Sequence, residues 1–387
     1  MNTTYTGIIA LVKSAILGKA VSLPEEFSLE STEKLLRKHS LLPLAYQGAH
    51  YCGISKESEI MQRLREGYFQ QLMRSEEQLR AIRQLYAAFD ENGIDYLPVK
   101  GCVLKGLYPK PELRVMGDAD ILIRTEQYDR IKPTMQQLGF EEKNGAEHEL
   151  PWFSKNLYVE LHKSLFPQRE EDLWACLGDG WDRAVKGQGH RYDLSIEDAY
   201  IYIFTHMTKH FRGSGVGARQ IVDLYVYRRA HPQMDEARIA QTMEALHLTQ
   251  FHNNIMQLLA VWFEDAPEDP VTDYITDYVF HNGNWGTEEN RLYSEELTRS
   301  RKAGEVKNSR LKSLVSVIFM PLRDMKMRYG ILYKYPVLLP VFWAVRWFDV
   351  LIHKPKNIGK KLGMVRDMTD EKVAAHQQAM QYMGLDS

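Results

Sequence analysis

Asp118 and Asp120 stand two residues apart in the stretch Val99–Ile123, VKGCVLKGLYPKPELRVMGDADILI. With Asp118–Ile123 read as a strand, both carboxylates project from one face while Ala119, Ile121 and Ile123 point to the other. Like charges this close repel unless a cation sits between them. A hard divalent ion, Mg²⁺ or Mn²⁺, is bound through such oxygens. A third acid, Glu160, follows in LYVELHKSL, with Tyr158 and His162 on its face and Val159 and Leu161 on the core side. Three carboxylates around a metal pair are the apparatus of in-line phosphoryl or nucleotidyl transfer.

Cations stand close in sequence. Lys100-Gly101 ends a strand, Ile94–Val99, and opens a helix over Gly101–Tyr108, which brings an ammonium and backbone N–H groups together for a phosphate. Arg114 precedes the first aspartate by four residues and is within reach of the same anion. His206 and His210 share one helical face, where zinc is one reading and substrate contact or interdomain bonding another. The metalloprotease pattern needs Glu where Met207 stands. His162 reads either as a base near the metals or as a hydrogen-bonded sheet histidine. Lys105 reads as solvated and Cys102 as a small packing residue. GSGVG at 213–217 lacks the Lys-Ser/Thr of a phosphate loop and reads as a flexible connection.

The run Lys100-Gly101, short helix, Arg114, Gly117-Asp118-Ala119-Asp120, then Glu160-Leu161-His162, resembles the uncharacterised bacterial nucleotidyltransferase family of the DNA polymerase β superfamily. The later block His206, His210, Arg219, Asp223 and Leu224 is similar to that family's second motif, and the basic, aromatic, proline-punctuated tail also resembles its members. The resemblance implies an α+β fold with a small mixed-sheet nucleotidyltransferase core. It makes Asp118, Asp120 and Glu160 the acids that hold two Mg²⁺ (or Mn²⁺) ions, with Lys100, Gly101 and Arg114 binding phosphate. His162, His206, His210, Arg219 and Asp223 become candidates for substrate contact. The implied reaction moves a nucleoside monophosphate from an NTP, such as ATP, to a hydroxyl of a small molecule, protein or RNA. The alternative is a catalytically degenerate nucleotide-binding or regulatory protein on the same fold. Lys100-Gly101-Cys102 stands where the superfamily usually has Gly-Ser or Gly-Gly, and Glu160 where many members carry Asp.

The elements that position these groups follow from periodicity. Up to residue 92 the pattern is helical, with apolar positions at three- and four-residue spacing over Ser31–Gly48 and Glu66–Glu91. Thr125 is placed to cap a helix ending at Leu138. Phe140–Lys143, Glu149–Phe153 and Leu157–His162 read as strands, with turns at Asn144-Gly145 and Lys155-Asn156. Ser195 with Asp198 opens a helix, Ala218–Ala230 forms another, and more fill 234–265 and 268–280. The domains so read are an N-terminal helical region at 1–92, a core at 93–190, a helical domain at 191–300 and a basic aromatic tail at 301–387.

Composition bounds the rest. The chain has 387 residues, 44% hydrophobic and 26% charged, which excludes disorder and leaves room for several domains. Three cysteines are too few for a disulfide framework, so a reducing cytoplasm is expected. The first residues lack the charged region of a signal peptide. The best membrane candidate, Tyr335–Val345, has 11 residues and two prolines, whereas a span needs about 20. No transmembrane segment is therefore expected. Arg301–Arg366 carries 15 basic and 3 acidic residues, a surplus of +12 against −14 elsewhere. Interleaved aromatics there suit an anionic partner. The plainer reading is a helical subdomain with aromatics inward and Lys and Arg in water.

Overall fold

Apolar residues at helical spacing produce four helices ahead of the sheet in the computed structural model: α1 (Thr3–Leu17), α2 (Glu33–Lys38), α3 (Leu42–Tyr51) and α4 (Glu59–Glu91). The structure describes residues 1–303, 315, 318–353 and 363–385, except 144, 146–148, 169 and 285. Asn144 of the expected turn and parts of the basic tail lie outside the described residues. Helix α4 starts at Glu59, about two turns before the expected Glu66, because Ile60, Met61 and Leu64 continue its buried stripe.

The sheet region then runs β1 (Tyr96–Pro98), α5 (Gly101–Leu104), β2 (Ala119–Ile123), α6 (Tyr128–Gln137), β3 (Glu141–Glu142), β4 (Glu149–Phe153) and β5 (Tyr158–His162). The strand order is β1-β2-β5-β4-β3, with β2 and β5 parallel and the other neighbours antiparallel. Pro98 is tolerated because β1 is an edge strand. Alternation assigns the faces. Ala119, Ile121, Ile123, Val159 and Leu161 pack with Ile82, Leu85 and Phe89 of α4 and Ile131 and Met135 of α6. Leu97 and Leu122 point to the opposite side and join the main helical core.

Helix α7 (Glu171–Leu177) and a hairpin of β6 (Ala184–Lys186) with β7 (Tyr192–Leu194) follow; neither was expected from the sequence. Next come α8 (Ile196–Arg212), α9 (Ala218–Ala230), α10 (Glu236–Ala245), α11 (Thr249–Phe263), α12 (Pro270–Asn282) and α13 (Glu288–Ala303). Ser195 caps α8 by accepting from the Asp198 N–H. One continuous apolar cluster joins Ile8 and Leu11 of α1 and Leu44 of α3 to Ile203, Leu224, Phe251 and Ile275. The helices before and after the sheet therefore form one bundle across it.

The tail supplies α14 (Leu322–Arg328), α15 (Ile331–Lys334), α16 (Leu339–His353) and α17 (Asp370–Tyr382). Val365, Met368 and Val373 pack on Leu292, Tyr293 and Leu297 of α13. Among the described residues no helix is long and apolar enough to cross a membrane.

Four local expectations need correction. Thr125 does not cap a helix: a 3-10 turn spans Thr125–Gln127 and α6 begins at Tyr128. Asp118 immediately precedes the strand rather than starting it. The helix after Gly101 is a single α turn continued by a 3-10 turn at Lys105–Leu107, and so carries little dipole. Lys105 is buried, its ammonium donating to the Arg114 carbonyl at 3.0 Å, because that 3-10 turn points it beneath the loop.

Candidate active site in a two-signed cleft

Antiparallel pairing of β1 with β2 brings the end of one strand beside the start of the other. Val99 N–H donates to the Asp120 carbonyl at 3.0 Å. Lys100 then turns in the left-handed region, at φ +46°. A non-glycine residue held there is strained and is kept only where surroundings over-determine it. Its Nζ lies 2.8 Å from Asp120 Oδ1 and 5.9 Å from the Tyr202 ring centroid. Gly101 is needed for close approach, since a Cβ there would lie 3.1 Å from both Arg114 Nη1 and Met116 Cγ.

The parallel pairing of β2 with β5 sets Asp120 opposite Glu160. His162, two residues on, has Nε2 2.8 Å from Asp120 Oδ1 and 3.9 Å from Glu160 Oε2. Ligand atoms of Asp120, Glu160 and His162 all lie within 4.8 Å of one another. These acids do not share one fate. Burial pushes the Asp120 carboxyl up, but Lys100 and the His162 hydrogen bond outweigh it and hold it well below the usual range. Glu160 is pushed up to about 7 by burial and by repulsion from Asp118 and Asp120. Asp118 is raised by burial and then by Asp120. Burial also pushes the Cys102 thiol up to about 12, so it stays protonated, as a packing residue would.

The facing wall comes from α8 and α9. Asp223 on α9 accepts two parallel bonds from Arg114, Nε to Oδ1 at 2.8 Å and Nη2 to Oδ2 at 2.9 Å. It also accepts from Tyr108 Oη at 2.7 Å and Arg219 Nη1 at 3.3 Å. Arg219 Nε reaches Asn284 Oδ1 at 3.2 Å. Two guanidiniums on one carboxylate leave a surplus positive charge at this wall. His206 and His210 stand one turn apart with ring centroids 4.6 Å apart. Burial, then Lys100, lowers both, His206 far below its ordinary value and His210 to about 4, so both are neutral at pH 7.

All of these walls line one cleft of about 560 Å³, which Lys100, Gly101, Arg114, Asp118, Asp120, Glu160, His206, His210, Arg219 and Asp223 share. Within it Arg114 is committed to Asp223 rather than open to an anion. His162 is absent from the lining and only 2% exposed, so it braces Asp120 from within the sheet. The glycine run at 213–217 is a correction: Val216 is fully buried and a Cβ on Gly217 would lie 2.6 Å from Asn284 Cα. It is a packed turn because α9 must start against the end of α12. Among the described residues His206 and His210 belong to no cluster of three metal-binding groups.

Several lining residues escaped the sequence reading, among them Arg74, Glu149, Lys209 and Asn284. For Arg74 a signal existed. Gln71, Ser75 and Gln78 form a buried polar stripe at helical spacing on α4, and Gln78 Nε2 donates to the Met116 carbonyl at 3.0 Å. That stripe supports the loop leading into Asp118.

Residues 26–264 match the model of a family described as uncharacterised nucleotidyltransferase. No curated protein matches the chain. Among solved structures, the solution structure of the antibiotic-resistance factor ANT(2'')-Ia is similar at 12% identity and a TM-score of 0.32, over 46% of this chain and 93% of that one.

Proposed function

The chain belongs to the uncharacterised nucleotidyltransferase family, and from that premise we propose that it moves a nucleoside monophosphate from an NTP to a hydroxyl acceptor. The observation that carries this reading is the split charge of one cleft. Asp118, Asp120 and Glu160 stand on one side, and Arg114 with Arg219, sharing Asp223, on the other. A nucleoside triphosphate with its cation has the same two signs.

The donor set fits a hard divalent ion. Ligand atoms of Asp120, Glu160 and His162 lie within 4.8 Å of one another, Asp118 lines the same cleft, and Glu160 is raised by burial and then by repulsion from Asp118 and Asp120 that a cation relieves. Asp118, Asp120 and Glu160 would hold Mg²⁺ or Mn²⁺, with His162 orienting Asp120. Such an ion, when bound, neutralises phosphate charge and lowers the pKa of an acceptor hydroxyl. The remaining work belongs to this chain's own groups. Lys100 keeps Asp120 ionised. The surplus charge at Arg219 receives phosphate oxygens, and neutral His206 and His210 offer hydrogen bonds without adding charge.

One observation favours the second reading, a nucleotide-binding protein without turnover: Asp120 Oδ1 already holds both Lys100 and His162. Calorimetric titration with each NTP plus Mn²⁺, followed by transfer of α-labelled nucleotide to a panel of acceptors, separates the two. Transfer with pyrophosphate release supports the enzyme, and binding without release supports the alternative.

A further inference from the structure

We propose that α14–α16 form a docking surface for an anionic lipid bilayer. Val337, in the 3-10 turn Pro336–Leu338 that leads into α16, is followed by Val341, Val345 and Phe348, whose four- and three-residue spacing puts them on one face of the helix. They are 83%, 56%, 44% and 70% exposed among the described residues. Pro340 and Ala344 lie on the same face and are exposed too. A surface helix ordinarily turns such a stripe inward, and an exposed stripe of this kind marks an interaction site.

The opposite face of α16 explains the inversion. Phe342 packs on Tyr329 at 4.8 Å between ring centroids, and Trp343 on Phe319 at 5.0 Å. Trp343 Nε1 donates to the Met320 carbonyl at 2.8 Å and Trp347 Nε1 to the Ile318 carbonyl at 2.9 Å. Arg328 pairs with Asp349 at 2.5 Å and ties α14 to α16. Phe342, Trp343 and Trp347 find their partners inside the helical pair, which leaves Val341, Val345 and Phe348 outside. The expectation of inward aromatics holds for these rings, but it does not account for the apolar stripe.

Charge and shape select the occupant. Of this stripe only Phe348 can stack on a base, and the three valines neither stack on bases nor bond phosphates, so a polynucleotide would leave most of it in water. A bilayer interface takes it up. Tyr333 and Tyr335 are exposed beside it, with Lys326 Nζ 5.6 Å and Lys334 Nζ 5.3 Å from their respective ring centroids. Tyrosine with lysine is the pairing that settles at headgroup level. The +12 surplus of the surrounding segment attracts an anionic leaflet. With 15 residues, α16 lies in the interface plane rather than crossing.

The test is flotation of the full chain with vesicles of phosphatidylcholine alone or of equimolar phosphatidylcholine and phosphatidylglycerol. Flotation with the anionic vesicles only, weakened by salt, is expected. Val341→Asp/Phe348→Asp should lower partitioning at least about tenfold, with the circular dichroism spectrum and nucleotide binding unmoved. Three results overturn the proposal: no flotation with either vesicle, equal flotation of the double variant, or a stable dimer without lipid that the double variant dissociates. The last would make the stripe a contact between copies of this chain.

Discussion

Asp120 and Glu160 are register partners across the parallel pairing of β2 and β5, so the backbone ladder itself holds their carboxylates side by side. Adjacent strands are only about 4.8 Å apart, and burial first, then repulsion from the neighbouring acids, raises the Glu160 and Asp118 carboxyls. Asp118→Asn and Glu160→Gln each relieve that repulsion. Both variants should melt no lower than the native protein, while nucleotidyl transfer falls by about 10²-fold or more. Transfer at the native rate would falsify the site, and a large loss of stability would contradict the repulsion.

The same repulsion predicts metal-linked stability. Mn²⁺ at about 100 times its dissociation constant should stabilise the fold by ~2.7 kcal/mol, read as a rise in melting temperature that EDTA reverses. Glu160→Gln should lose most of this rise. An equal shift in that variant would move the metal elsewhere.

Asp223 has the opposite character, since its charge is compensated. It receives Arg114 through two bonds and is almost wholly buried. Asp223→Asn leaves a buried guanidinium without its anion, and should cost about 3–5 kcal/mol in urea unfolding. Tyr108→Phe removes one hydrogen bond to the same carboxylate and should cost roughly 1 kcal/mol. A harmless Asp223→Asn would mean that the pair does not hold the wall.

His39 carries a prediction in pH. Burial lowers it to about 4 although its Nε2 lies 3.1 Å from the Phe280 carbonyl, and its Nδ1 accepts from the Ala218 N–H. An accepting Nδ1 leaves Nε2 as the donor, so the folded ring is neutral. The unfolded chain therefore binds more protons below pH 6.5, and stability present above 6.5 is lost as pH falls toward about 4. The loss from this group is roughly 3 kcal/mol at full development. Urea midpoints across that window should fall more steeply for the native protein than for His39→Gln; parallel slopes would count against the assignment.

Much of the core could be read from pattern alone. Period-2 alternation in DADILI and LYVELH assigned the faces of β2 and β5, because a strand with one buried face has few alternatives. The breaks at Asn92-Gly93 and Gly139 worked through backbone conformation, as glycine φ values of +62° and +79° attest. Helix α9 matches its expected bounds. Lys105 is buried by its own 3-10 turn and the nearby Arg114 carbonyl, whereas burial of the glycine run at 213–217 is imposed by residues far away in sequence, such as Asn284.

Residue types and spacing by themselves determined that acids, a lysine and a histidine pair are available, and that strands carry Asp120 and Glu160. Only the tertiary structure decided how they are partnered. It set Asp120 between Lys100 and His162, assigned Arg114 to Asp223 across more than a hundred residues, and turned the apolar stripe of α16 outward. The physical reason is that periodicity encodes which face a side chain takes, whereas partners and charge balance depend on elements distant in sequence that meet only when the core closes.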